Sequence, residues 1–161
     1  MSSVQASTVN AFPQQPSCPT GAIGAPSNLR PVATAVAASC SLYPSQGNYI
    51  VPLTLNNVSA IVVTLPPAAQ APGCNYEFHV ITAGTGTYQV KSPSANIYGQ
   101  AYNLTTATGA PSFLFAAGST NLNGGAAPAI GDSSRLWSDG TRWLCEARPG
   151  SAGTTSFAAF S

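Results

Sequence analysis

Charge is nearly absent from this chain. Only 6% of its 161 residues are Asp, Glu, Lys or Arg, against roughly 25% in ordinary soluble domains. The five basic residues, Arg30, Lys91, Arg135, Arg142 and Arg148, are scattered, and the net charge is +1. No basic tract exists to hold nucleic acid or an anionic membrane, so neither is expected as a partner. No apolar run approaches the roughly 18 residues of a membrane-spanning helix. The first residues, MSSVQASTVNAF, lack the basic start and apolar core of a secretory signal. Helix formers are also scarce, with a single lysine and a single methionine, while Gly and Pro total 15 and 14. That composition excludes long helices and predicts an all-β chain with many turns.

Catalytic chemistry is equally short of material. The acidic residues are Glu77, Asp132, Asp139 and Glu146, and acid–base hydrolysis needs two that converge. Asp139 precedes glycine and Asp132 follows one, contexts in which a turn explains the carboxylate. His79, the one histidine, falls on the polar face of a predicted strand, where a solvated or interface role is expected. No G-x-S-x-G accompanies it. GTGTYQ (84–89) lacks the third glycine and the following helix of a phosphate cradle. The cysteines, Cys18, Cys40, Cys74 and Cys145, form no C-x-x-C pair, so a zinc site is not expected. Synthesis in a cytosol is expected, and it favours four buried, reduced thiols. The alternative is one or two disulfides made after release from the cell; Cys18 with Cys40 would tie the tail to the body, worth roughly 3 kcal/mol by loop entropy. Sequons at Asn57 and Asn103 read as chance. No enzyme activity, metal or cofactor is expected.

Two regions differ in texture. Residues 1–40 are proline-rich and without sustained period, which predicts an extended N-terminal arm ordered by contact with another subunit. Residues 41–161 read as a β-sandwich or jelly-roll-like domain with a short C-terminal tail. Candidate strands are 48–55, 59–65, 74–81, 87–92, 95–99 and 111–118, followed by a long loop over 119–132. Pro52 places the first of these at an edge or a bulge. The unbroken apolar run of 59–65 suits a buried strand. In 74–81, Tyr76, Phe78 and Val80 alternate with Asn75, Glu77 and His79. Residues 154–161 form a last strand or a tail docked on a neighbour.

Residues 131–147, GDSSRLWSDGTRWLCEA, gather both tryptophans and five of the charges. Asp139-Gly140 predicts a two-residue turn, with Trp137 opposite Arg142 and Leu136 opposite Trp143. One face then carries Leu136, Trp143, Cys145 and Ala147 and should be core. The other carries Arg135, Trp137, Arg142, Leu144 and Glu146. Arg135, Trp137, Arg142 and Leu144 are the candidate oligomer interface, with a cation–π pair between Trp137 and Arg142. Tyr98 and Tyr102, flanking a predicted Gly-Gln-Ala loop, are a candidate glycan platform.

Several of these residues resemble a pattern in structural proteins of tailed phages and other double-stranded DNA viruses. Its elements are Leu65-Pro66, Gly73, Tyr76 and Phe78, Ile97 and Gly99, Gly131-Asp132, then Ser138-Asp139-Gly140-Thr141 and Trp143. The resemblance spans about residues 48–147 and leaves the arm outside. It implies a β-sandwich or jelly-roll module, often trimeric, of the kind found in capsid decoration and minor capsid proteins and in fibre or spike modules. The expectation is therefore a virion structural protein, a decoration or cement protein at the capsid surface, synthesised in host cytoplasm. Its partners would be itself, as a homotrimer, and a major capsid protein. The other expectation is a fibre module that binds a host receptor or glycan.

Overall fold

The alternation in the Tyr76–Val80 stretch is built as the sequence predicts. Tyr76, Phe78 and Val80 are buried, and Glu77 and His79 lie on the opposite face. They belong to β4 (Asn75–Thr82), one of ten strands in a computed structural model that describes residues 30–56, 59–104, 111–125, 128–150, 157 and 160–161. The others are β1 (Cys40–Ser41), β2 (Ile50–Thr54), β3 (Ile61–Thr64), β5 (Tyr88–Lys91), β6 (Ile97–Leu104), β7 (Pro111–Ser119), β8 (Asn121–Asn123), β9 (Ser133–Ser138) and β10 (Trp143–Arg148). The described residues contain two short 3-10 turns and no longer helix. The chain is all-β.

The strands form two mixed sheets, β1-β3-β5-β8 and β2-β4-β9-β10-β6-β7. Through β6 the chain places successive strands in alternate sheets, and as far as β5 strands two apart in sequence are neighbours and run parallel. β1–β3, β3–β5 and β2–β4 pair in this way. A jelly roll has antiparallel neighbours; these parallel pairs, and that of β10 with β6, correct the jelly-roll expectation. Both sheets contribute to one core, including Val51, Leu53, Phe78, Leu136 and Trp143 from the larger and Ile61, Val63, Tyr88, Val90 and Leu122 from the smaller.

The 59–65 run is only half interior. Ile61, Val63 and Leu65 are buried, whereas Val62 and Thr64 are partly exposed, because β3 lies in a sheet with one face on the core. The predicted 119–132 loop contains β8, held to β5 by Leu122, which is buried opposite Val90. Its short run of asparagines gave no strand signal.

Both chain ends of the described fold pack on the body. Val32 bridges Ile50 and Val36 bridges Leu53, so residues 32–36 close the edge of β2. This strap advances four residues while β2 advances three, and Pro52, which has no N–H to give, sits in the irregular stretch, accepting from Val36 N at 2.8 Å. Val36 is 1% exposed, so this end of the predicted arm is part of the body's core; residues 1–29 lie outside the described set. At the other terminus Phe157 is buried and bridges Gly124. Asn103 grips the Phe157 backbone twice, through Nδ2 to O at 2.8 Å and Oδ1 from N at 3.0 Å. The tail therefore docks on its own chain at these points. Cys40 is disulfide-bonded, which corrects the expectation of four reduced thiols; Cys74 and Cys145 are free, and Cys18 lies outside the described residues.

Candidate functional site

The β9–β10 hairpin is inserted between β4 and β6, filling the middle of the larger sheet. Its inner face is scaffold. Leu136 and Trp143 are fully buried, Ala147 is 1% exposed and Cys145 is 3%. The Trp143 indole packs 5.6 Å from the Tyr76 ring, tilted by 39° to it, and donates from Nε1 to the Pro66 carbonyl at 3.1 Å. Burial pushes the Cys145 thiol up to about 12, so it stays protonated.

The turn differs from the expected one. Trp143 pairs with Ser138 and Leu144 with Trp137, and Asp139 N donates to Arg142 O at 3.2 Å. The central residues are thus Gly140 and Thr141, with Gly140 at φ 89° in the first position, where such a turn requires glycine. Asp139 instead locks the loop from its side chain, accepting from Thr141 N and Arg142 N at 2.8 Å and from Arg142 Nε at 2.9 Å. The bonds from Arg142, then that from Thr141, hold the Asp139 carboxyl down at about 2. The register moves so that each residue gains a partner two positions away, which preserves side-chain parity. Both predicted faces survive.

On the outer face the cross-strand register assembles two rows. One runs Asn75, Trp137, Leu144, Tyr98, Ala117; the next runs Glu77, Arg135, Glu146, Gln100. Between them lies a shallow groove of about 490 Å³ lined by Tyr98, Gln100, Trp137, Leu144 and Glu146, with Gly99 and Cys145 backbone beneath. Gly99 has φ 144°, and a Cβ there would lie 2.0 Å from the Cys145 carbonyl oxygen. Only glycine lets β6 approach β10 this closely.

The arginines sit over the rings, with exchanged partners. Arg135 covers Trp137 at 5.7 Å and Arg142 covers Tyr98 at 5.5 Å; the expected Trp137–Arg142 pair is not formed because the turn register places Leu144 opposite Trp137. Arg135 also donates to Asn75 Oδ1 at 3.1 Å. Glu146 accepts from Arg148 at 2.5 Å. Farther along the face, Glu77 accepts from Arg30 and from His79 Nε2, the latter at 2.8 Å. Burial would raise the Glu77 carboxyl, but the His79 bond and the Arg30 charge outweigh it and hold it below its ordinary value. Of the charged residues, only Lys91 and the fully buried Asp132 lie away from this side of the molecule. Asp132 ties two loops, accepting from Ala129 N at 2.7 Å and Gly150 N at 2.6 Å.

The fold thus unites the candidate interface residues Arg135, Trp137, Arg142 and Leu144 with Tyr98 of the candidate glycan platform. Tyr102 lies farther along β6, roughly 13 Å of strand beyond Tyr98, and does not line the groove. The segment between the tyrosines is strand, not loop. Trp137 is the ring that shares the groove with Tyr98. Glu146 was expected on this face, though not among the candidate interface residues; Gln100 was not singled out in the sequence, and its period-two spacing from Tyr98 is the signal that would have found it. No protein-family model, curated protein or solved structure matches the chain.

Proposed function

We propose that this chain is a non-enzymatic structural protein of a virion, a capsid decoration (cement) or minor capsid protein. In this reading its two sheets form a sandwich that self-associates, as a homotrimer, through the outer face of the larger sheet and holds neighbouring capsomers together. The observation that carries it is the Trp137–Leu144–Tyr98 row roofed by Arg135 and Arg142. Aromatic rings and arginine, with an aliphatic residue between, are the composition of the centre of a protein interface. A chain with 6% charge has little solubility margin as a monomer, and closed symmetry covers such a face without open polymers. The motif resemblance supplies the viral context and the preference for three copies. Light scattering across a dilution series tests the reading. The wild type should assemble and Trp137→Ala should dissociate at about tenfold lower dilution with the fold intact. A wild type that is monomeric at high concentration would overturn it.

The groove favours one second reading, a fibre or spike module that binds a glycan. Two rings with Gln100 and Glu146 beside them are suited to stack on and hydrogen-bond a sugar. Trp143 is buried, so a fluorescence change on adding neutral oligosaccharide would report Trp137 and support this reading; unchanged emission at saturating sugar would count against it.

A further inference from the structure

The sheet edges of this fold are not treated alike. In the larger sheet, β2 is closed by the strap at Val32 and Val36. In the smaller sheet, β8 carries the Gly124–Phe157 bridge and bonds from Thr120 and Asn121 N to the Ser161 carbonyl, and β1 is only two residues long. The fourth edge is β7, Pro111–Ser119, nine residues that pair only with β6 among the described residues. Its sequence, PSFLFAAGS, has no charge and no proline after its first residue. Natural proteins protect such edges with charge, proline or a bulge, because a bare one templates pairing with another chain. β7 has its proline at the first residue and a bulge at Gly118, where Ala117 and Ser119 face the consecutive Tyr98 and Ile97, so residues 112–117 carry none of these devices.

We propose that the β7 edge accepts residues 4–12 of a neighbouring copy as a seventh strand, an addition that rests on the arm and self-association described above. The segment VQASTVNAF ends at Pro13, and residues 1–12 hold no proline, glycine or charge, so the segment can give an unbroken backbone ladder. Its nine residues match the nine of β7. Val4, Thr8, Val9 and Phe12 are residue types that favour strands. Cys40 is disulfide-bonded while Cys74 and Cys145 are free, which leaves Cys18 as its partner, so residues 13–17, with prolines at 13 and 16, would serve as the connection, spanning up to roughly 17 Å when extended. That connection starts from the disulfide at Cys40 in β1, an edge of the smaller sheet. Donation from that edge to the β7 edge of the next copy is head-to-tail, the geometry that closes into rings when the rotation permits. Backbone bonds then supply the affinity, as in other strand-addition complexes.

The test uses two full-length variants. Val9→Pro spoils the donor segment and leaves the acceptor; Ala117→Lys, at an exposed position of β7, places a charge on the acceptor edge and leaves the donor. Each alone should assemble only at concentrations about tenfold above wild type, with unchanged circular dichroism. Mixed in equal amounts they should recover hetero-dimers, because the segment of the Ala117→Lys chain finds an intact β7 on the Val9→Pro chain. Hydrogen exchange should slow together in residues 4–12 and 111–119 as wild-type concentration rises. Ala117 also ends the outer-face row beside Tyr98, so Val9→Pro decides: the proposal is overturned if Val9→Pro assembles like wild type, or if the mixture stays as dissociated as either variant alone, the outcome expected were the segment to dock on its own chain. Assembly lost in Trp137→Ala and Ala117→Lys but kept in Val9→Pro would refute strand donation while leaving the outer-face interface standing.

Discussion

Removing Trp143 should come close to unfolding the protein. The side chain is 0% exposed, lies against Tyr76 and is the first residue of β10, where its backbone N–H donates to the Asn96 carbonyl at 2.9 Å. Large-to-small truncation of a buried aromatic costs about 3–5 kcal/mol. Trp143→Ala also orphans the Pro66 carbonyl, which belongs to a buried residue, and an unsatisfied buried acceptor costs about 1–3 kcal/mol. A total of about 5 kcal/mol is thus expected, against a whole-domain stability of roughly 5–15 kcal/mol. In a chain of this length that lowers Tm by roughly 10–20 °C. Trp143→Phe keeps a ring on Tyr76 and loses the N–H, so it should cost about 1–3 kcal/mol. Urea unfolding followed by far-ultraviolet circular dichroism gives both numbers. A Trp143→Ala protein within about 1 kcal/mol of wild type, the range of a surface change, would refute the hairpin as the keystone of the larger sheet.

The buried Asp132 carboxylate should not tolerate an amide. Asp132→Asn turns a donor toward one of the Ala129 and Gly150 N–H groups and should cost about 1.5–3 kcal/mol in the same assay; a neutral effect would mean that those loops are held otherwise. Thiol alkylation of the native protein should modify Cys74, which is partly exposed, well before Cys145, which is buried with its thiol held protonated; mass spectrometry of the digest reads the order, and equal rates would contradict the burial. Acid should loosen the outer face. Asp139 and Glu77 both ionise more readily in the folded chain, so their contribution is complete above their unfolded values near 4 and is lost as pH falls through the folded ones, toward about 2 for Asp139. Thermal melts should therefore fall from pH 5 to pH 2, and Glu77→Gln should flatten the upper part of that fall; an unchanged profile would place the acid sensitivity elsewhere.

Local periodicity determined a good deal of this protein. The scarcity of helix formers gave the all-β class. Alternation placed Tyr76, Phe78 and Val80 inside, and it separated Leu136, Trp143, Cys145 and Ala147 from Arg135, Trp137 and Leu144. That separation survived a mistaken turn because side-chain parity repeats every two residues, and the true register differs from the expected one by two. Pairing between distant strands is another matter. Nothing in the residues of β9 and β10 says that they slot between β4 and β6, that β6 lies parallel to β10, or that β8 rises from an asparagine-rich loop. The pattern of a strand records which face is buried, not which neighbour supplies its hydrogen bonds, since backbone groups are the same in every residue but proline. For that reason the meeting of Tyr98 with Trp137, the exchange of arginine partners above them and the place of β7 at the end of its sheet were decided by the tertiary fold alone.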